Sequence, residues 1–250
     1  RNITATVGST SRAYGDANPA YTWSDVTWNN LANGETGSVL DTMTVSSPTA
    51  LATSNAGTTH NINLTGFSDN NYNLTGSTAG VLTISKRNIT ATVGSVSKNY
   101  GDAVPSFTWS NVTWNNLANA ETGSVLDAMT VSAPTYAVTS NAGTTHAIGI
   151  TGFSDNNYNL TGSTAGTLSV AKRNITSAWT GGLSRVYGDA NPNVTTANFA
   201  YTGFVNGDTN AAVTASGDYG AITTATNVGS YAGWANFSAT NYNITNSPTT

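Results

Sequence analysis

Apolar and polar residues alternate along short stretches of this chain, and the phase of the alternation is its first landmark. Leu82 and Ile84 stand at even positions, flanked by Thr83 and Ser85; Ile89, Ala91 and Val93 stand at odd positions, separated by Thr90 and Thr92. Strict alternation of this kind predicts half-buried β-strands. Successive strand residues face opposite sides of a sheet, so the change of parity at Lys86-Arg87 turns the apolar face over. Leu168 and Val170 against Ile175 and Trp179 repeat the switch. No Gly- or Pro-rich linker separates the two runs. They predict one extended stretch that is the last strand of one domain and the first of the next, with a short, stiff joint.

The switch recurs at a fixed interval. Arg1-Asn2-Ile3-Thr4 returns as Arg87-Asn88-Ile89-Thr90 and as Arg173-Asn174-Ile175-Thr176, with spacings of 87 − 1 = 86 and 173 − 87 = 86. Residues 1–86 and 87–172 differ at 20 positions, so 86 − 20 = 66 match, while the third copy is more diverged and keeps the landmarks. A period of this size is a domain rather than a solenoid turn. The predicted organisation is three tandem domains, 1–86, 87–172 and 173–250.

Within one copy, a first strand over residues 2–7 is broken by residues 8–11. Tyr14-Gly15-Asp16-Ala17-Asn18-Pro19 then makes a turn, and a second strand carries Tyr21, Trp23, Val26 and Trp28. Asn33-Gly34-Glu35-Thr36 turns into a strand over 39–45 that Pro48 ends. Asn55-Ala56-Gly57 turns into a strand over 58–64, and an Asn-rich turn at 69–73 precedes the last strand, 81–85. Asn, Gly and Pro supply these turns for conformational reasons, and Thr suits the strands. About six short strands per copy and no helical period predict an all-β chain, each domain a sandwich or barrel-like unit. The third copy stops after Asn241-Tyr242-Asn243-Ile244-Thr245 without a counterpart of the 81–85 strand. A third domain lacking its last strand is therefore expected, the favoured reading being that the sequence in hand is a piece cut from a longer array; if the end is native, the open edge could be completed by strand donation from another subunit.

The Tyr-Gly-Asp-x-x-Pro turn at Tyr14, Tyr100 and Tyr187, the Asn-Gly-(Glu/Asp)-Thr turn at Asn33 and Asn206, the Asn-x-Gly turns and the closing Asn-Tyr-Asn-(Leu/Ile)-Thr recur in one order. In this the chain resembles tandem MBG domains of the YGX type, found in large bacterial surface adhesins including filamentous-haemagglutinin-like proteins. The resemblance covers nearly the whole chain. It implies small, mostly-β, β-grasp-like units in a rod-like extracellular array at the bacterial cell surface, without catalytic residues.

Composition narrows the function classes. Eight Lys and Arg against twelve Asp and Glu give a net charge of −4, and charged residues are only 8% of the chain. No basic stripe is present to follow a phosphate backbone, which excludes a nucleic-acid partner. No run of 18 apolar residues is present, so no membrane span is expected in this segment. Cysteine is absent, which leaves the redox compartment open.

Few residues offer chemistry. His60 and His146 are one position seen twice, since 146 − 60 = 86; a strand histidine capping a turn is the expectation. Asp16, Glu35, Asp69 and their copies are the candidate calcium ligands, Asp16, Asp102 and Asp189 foremost. Calcium wants six to eight converging oxygens, whereas Asp in Gly- and Asn-rich turns ordinarily bonds its own backbone, which is the favoured reading. Trp28 and Trp114 are candidate ligand or packing contacts. Five residues separate Trp23 from Trp28, which on an unbroken strand sets them on opposite faces, one of them in the core. No cofactor is implied and no enzyme is expected. The expected role is a structural spacer in the stalk of an adhesin or surface fibre, with neighbouring repeats as partners. Two alternatives are a module binding a host or cell-surface glycan, and a homo-polymeric filament subunit.

Overall fold

The computed structural model describes residues 1–245, and its strands are joined by turns and short 3-10 segments. The first copy runs β1 (Asn2–Val7), β2 (Thr10–Ala13), β3 (Val26–Asn29), β4 (Thr42–Ser46), β5 (Thr59–Ser68), β6 (Asn73–Thr78) and β7 (Gly80–Ser85). The second runs β8 (Arg87–Val93), β9 (Val96–Asn99), β10 (Val112–Asn115), β11 (Ala128–Ser132), β12 (Thr145–Ser154), β13 (Tyr158–Thr164) and β14 (Gly166–Ala171). The third runs β15 (Arg173–Trp179), β16 (Phe199–Thr202), β17 (Thr214–Asp218), β18 (Trp234–Ser238) and β19 (Tyr242–Ile244). The protein is all-β and built of tandem small β domains. The expected loss of the third copy's last strand turns on residues 246–250, which lie outside the described residues.

The first copy shows the plan. β1 pairs antiparallel with β3 and parallel with β6 in a three-stranded sheet, order β3-β1-β6. The second sheet has the order β2-β7-β5-β4, with β2 parallel to β7 and the other pairs antiparallel. The alternation that predicted β1 and β7 is the alternation of their burial: Ile3, Ala5 and Val7 face inward on one, and Gly80, Leu82 and Ile84 on the other. The two sheets share a core of Ala5, Val7, Val26, Ile62, Leu82 and Ile84. Leu82 and Ile62 are 0% exposed, and each such side chain contributes about 1.5–3 kcal/mol by leaving water. β7 is, with β5, one of the two inner strands of this sheet, and it carries Leu82 and Ile84 of this core.

Where strands differ from expectation, a polar feature is responsible. β2 falls where a break is predicted, because its inward residue is Arg12, buried to 7% exposure, and a buried Arg gives no apolar beat. Arg12 is held by bonds from Nε to Asn18 Oδ1 (2.8 Å) and from Nη2 to the Leu51 carbonyl (2.6 Å). β6 is almost wholly polar and exposed, with Leu74 as its apolar residue. The predicted second strand is shorter than expected, because Trp23–Asp25 forms a 3-10 turn before β3. The Asp25 carboxylate accepts from the Thr22 amide (2.7 Å) and hydroxyl (2.8 Å), closing that turn, as capping residues do.

The chain folds as two compact units. The first comprises Arg1–Val93, Thr108–Val131 and Ile150–Thr164: the first copy together with β8, β10 and β13. In it β8 repeats the arrangement of β1, pairing antiparallel with β10 and parallel with β13. The second comprises Gly94–Phe107, Ser132–Gly149 and Ala165–Thr250. In it β14 runs parallel to β9 and antiparallel to the first half of β12; β15 lies between β16 and β19, and β17 pairs with β18. The unit boundary falls inside the second sequence copy. Each unit holds one seam: β7, Lys86 and β8 in the first, β14, Lys172 and β15 in the second.

Candidate functional site at the repeat joints

A single residue separates β7 from β8, so the strand leaving one copy enters the next without slack. The two halves of the seam bury opposite parities, Leu82 and Ile84 against Ile89, Ala91 and Val93. One apolar cluster crosses the joint and contains Tyr14, Ile84, Ile89, Ala118, Leu126 and Tyr158.

Around this seam, side chains from both copies close on one another. Tyr14 and Tyr158 meet edge to face, centroids 5.4 Å apart at 81°, a preferred aromatic geometry worth about 0.5–1.5 kcal/mol beyond burial. The Glu121 carboxylate accepts from both hydroxyls, Tyr14 at 2.7 Å through Oε1 and Tyr158 through Oε2. The Tyr158 oxygen also accepts from the Ala118 amide at 2.9 Å. Burial, and then the Glu121 carboxylate, push both tyrosines above the ordinary phenol range. Gly15, at φ +80°, lies so close to the next copy that an added Cβ would sit 2.1 Å from the Ala118 Cβ. The Tyr-Gly-Asp turn is thus a docking surface as well as a turn, and its glycine serves both the left-handed backbone and the close approach.

Charge and backbone bonds complete the joint. Arg87 Nη1 lies 2.6 Å from Asp16 Oδ1, and the same guanidinium donates to the Asn116 carbonyl (2.8 Å) and Asn116 Oδ1 (2.9 Å). Asn157 Oδ1 accepts from the Ala56 amide at 2.9 Å, and Lys86 Nζ donates to the Asp155 carbonyl at 2.6 Å.

The second unit builds the same joint from the corresponding residues. Tyr100 and Tyr242 meet at 5.5 Å and 82°, and Arg173 Nη1 lies 2.7 Å from Asp102 Oδ1. Asn241 Oδ1 accepts from the Ala142 amide at 2.8 Å, and Lys172 Nζ donates to the Ala239 carbonyl at 2.6 Å. Asp208 accepts from Tyr242 at 2.7 Å, and Gly101 (φ +81°) faces Val205, whose Cγ2 is 2.2 Å from an added Cβ. Burial, helped by Asp208, pushes the Tyr242 phenol up to about 12.

The residues singled out in the sequence fall as follows. Asp16 and Asp102 spend their carboxylates on the seam arginines, while Asp189 is exposed. Among the described residues no three His, Asp or Glu side chains gather as a metal site. Each histidine bridges two threonines, His60 between Thr49 (3.1 Å) and Thr58 (3.2 Å), His146 between Thr135 and Thr144 at the same distances. The opposite-face expectation for the tryptophans does not hold. The 3-10 turn at Trp23 breaks the strand count and brings Trp23 and Trp28 together, centroids 6.0 Å apart, with Phe67 5.5 Å from Trp28; Trp109, Trp114 and Phe153 repeat the stack. Trp23 and Trp28 line an open hollow of about 650 Å³ with Glu35 and Ser38 on its rim. Sequence reasoning missed Tyr158, Glu121 and Asn157 as joint residues. One signal was present: each seam arginine follows the Asp of the preceding Tyr-Gly-Asp turn by the same interval, 87 − 16 = 71 and 173 − 102 = 71.

These features define a class: tandem β repeats whose successive copies interlock through a shared strand seam. The family model of the MBG domain (YGX type) matches three times, over residues 3–83, 89–169 and 180–250, and the chain belongs to that family. No curated protein and no solved structure matches the chain.

Proposed function

We propose that this chain is a run of spacer repeats in the stalk of an extracellular bacterial surface protein, and that the joints are its working parts. The observation that carries this reading is the recurrence of one joint, with the same Tyr pair, Arg–Asp pair and Asn-to-amide bond, in both compact units: Tyr14, Asp16 and Arg87 answer to Tyr100, Asp102 and Arg173 at 86 residues, and Asn157 and Tyr158 to Asn241 and Tyr242 at 241 − 157 = 242 − 158 = 84. A seam of one residue with a core running through it resists bending, because bending must separate close-packed side chains. A spacer needs this property and an enzyme does not. The reading assigns the chain no catalysis, no cofactor and no metal. Its partners are neighbouring repeats.

The hollow beside Trp23 and Trp28 carries a second reading, a module that stacks a glycan on indole rings. One experiment separates the two. The purified chain is applied to a glycan array and to host cells, with and without calcium. The spacer reading expects no saturable binding in either condition. Binding that is lost in Trp28→Ala and Trp114→Ala, with circular dichroism unchanged, replaces the spacer with a lectin-like repeat.

A further inference from the structure

One turn occurs in all three copies, with a glycine at its third position in two of them and an alanine in the other. Residues 32–35, 118–121 and 205–208 each close on a bond from the fourth amide to the first carbonyl: Glu35 to Ala32 (2.8 Å), Glu121 to Ala118 (2.8 Å) and Asp208 to Val205 (2.9 Å). Both central residues are left-handed in every copy. Asn33 and Gly34 stand at φ +54° and +72°, Asn119 and Ala120 at +53° and +57°, and Asn206 and Gly207 at +57° and +77°. This backbone favours Asn-Gly at its centre. The first and third copies have that pair, and these are the two Asn-Gly sequences of the chain; the second copy has Asn-Ala. Ala120 holds the left-handed conformation against its own Cβ.

In both joints the Asn of this turn reaches toward the preceding copy. Asn206 Nδ2 donates to the Val138 carbonyl at 3.0 Å, and Asn119 Nδ2 stands 3.7 Å from the Cβ position of Gly15. The fourth residue of the turn is the carboxylate of the joint, Glu121 for Tyr14 and Tyr158, Asp208 for Tyr242. Whatever alters the turn therefore alters the joint.

An Asn side chain can be attacked at Cγ by the backbone nitrogen of the residue that follows it. Three observations favour that step at Asn33 and Asn206. Both residues and the glycines after them are exposed. Among the described residues the Gly34 and Gly207 amides donate to no backbone acceptor. A Cβ added at either glycine would meet nothing within 4 Å, so the backbone there has room to swing toward the Asn side chain, with the freedom that glycine allows. At Asn119 the methyl of Ala120 stands beside the attacking nitrogen and narrows its range.

We propose that Asn33 and Asn206 are sites of spontaneous deamidation, and that Asn206 makes the second joint age while the first is spared. The Gly207 nitrogen bonds to Asn206 Cγ, the bond from Cγ to Nδ2 breaks, and Nδ2 leaves as ammonia with the proton lost by the Gly207 amide. Water then opens the five-membered imide. Opening at one carbonyl gives Asp, and at the other isoaspartate, whose main chain runs through the side chain. Either product sets a carboxylate, with no proton to donate, where Nδ2 met the Val138 carbonyl. Isoaspartate also lengthens the main chain by one carbon between Val205 and Asp208, which opens the turn and draws the Asp208 carboxylate off Tyr242. Asn206 reacts more slowly than Asn33, because the Val138 carbonyl holds its side-chain amide.

The test is incubation of the full 250-residue chain at mildly alkaline pH, followed by peptide mapping with mass spectrometry and enzymatic methylation of isoaspartate. Asn33 and Asn206 should each gain one dalton and carry isoaspartate, Asn33 at least threefold faster, while Asn119 stays intact. Gly207→Ala, which the turn accommodates as it does Ala120, should slow conversion at 206 at least tenfold. Ala120→Gly only removes a methyl, and it should make Asn119 convert. In the aged chain, amide exchange at residues 242–244 should rise at least tenfold and stay unchanged at residues 158–160. Conversion of Asn119 as fast as that of Asn206 overturns the site assignment. So do Asn-Gly pairs that stay intact in the folded chain under conditions that convert them in denaturant. Full conversion at Asn206 with unchanged exchange at 242–244 overturns the ageing of the joint.

Discussion

The joint in the first compact unit and the joint in the second use different parts to reach one geometry. Glu121 is long enough to accept from both tyrosines of its pair, whereas Asp208, shorter by one methylene, accepts from Tyr242, which Tyr100 meets edge to face. Ala118 faces Gly15 in one and Val205 faces Gly101 in the other. Yet the ring pairs sit at 5.4 and 5.5 Å, the ion pairs at 2.6 and 2.7 Å, and the Asn-to-amide bonds at 2.9 and 2.8 Å. The difference teaches which contacts set the joint. Backbone approach and the aromatic pair are held constant while the carboxylate and the small apolar residue drift, so the carboxylate adjusts a geometry that packing has already fixed.

Truncating the rings tests this most severely. Tyr158→Ala and Tyr242→Ala should each destabilise their own unit by about 3–5 kcal/mol, the range for deleting a buried aromatic, and by similar amounts. Chemical denaturation followed by tryptophan fluorescence measures both, and a loss confined to Tyr158 would shift the weight from the rings to Glu121. The glycines come next. Gly15→Ala and Gly101→Ala force a side chain into left-handed backbone and into a neighbour about 2 Å away, for a cost on the order of 3 kcal/mol in either joint.

Alkaline pH sharpens the comparison further. A phenol raised in the folded state stabilises while it keeps its proton, so its contribution is intact below the ordinary value near 10 and is lost as pH rises through the folded value. For Tyr242 that window runs from about 10 to about 12. Melting temperature should fall across it, and Tyr242→Phe should flatten the part of the fall that belongs to the second unit. The smallest effect is expected of the ion pairs. Arg87 and Asp16 keep 20% and 50% of their side-chain surface exposed, so a double-mutant cycle with Arg87→Ala and Asp16→Ala should give a coupling of roughly 0.2–1 kcal/mol that shrinks in salt.

Much of this was legible in the sequence, for identifiable reasons. The alternation at Leu82, Ile84, Ile89 and Ala91 is the burial pattern itself, so β1, β7 and β8 and the face reversal between them could be read directly. β2 was hidden because its inward residue is the hydrogen-bonded Arg12, and β6 because one apolar residue among exposed polar ones makes no pattern. The Trp23–Trp28 stack was hidden by a turn that a carboxylate closes from three residues away. The joint was hidden for a different reason. Tyr14 and Tyr158 lie 158 − 14 = 144 residues apart, and no local pattern announces a partner at that distance. Only the period, carried from seam to seam, links them.

The single residue between β7 and β8 also governs how such an array can change its length. One residue inserted at Lys86 would reverse the parity of everything downstream and present Ile89 and Ala91 to water. Two would restore the parity but carry Arg87 about 6–7 Å along the strand, out of reach of Asp16. Insertions that add a whole copy preserve both the phase and the ion pair. The seam thus acts as a reading frame in three dimensions: at the seam the array gains or loses material by whole repeats, while changes of one or two residues fall within a copy, as between Tyr100 and Tyr187 (187 − 100 = 87) and between Tyr158 and Tyr242 (242 − 158 = 84).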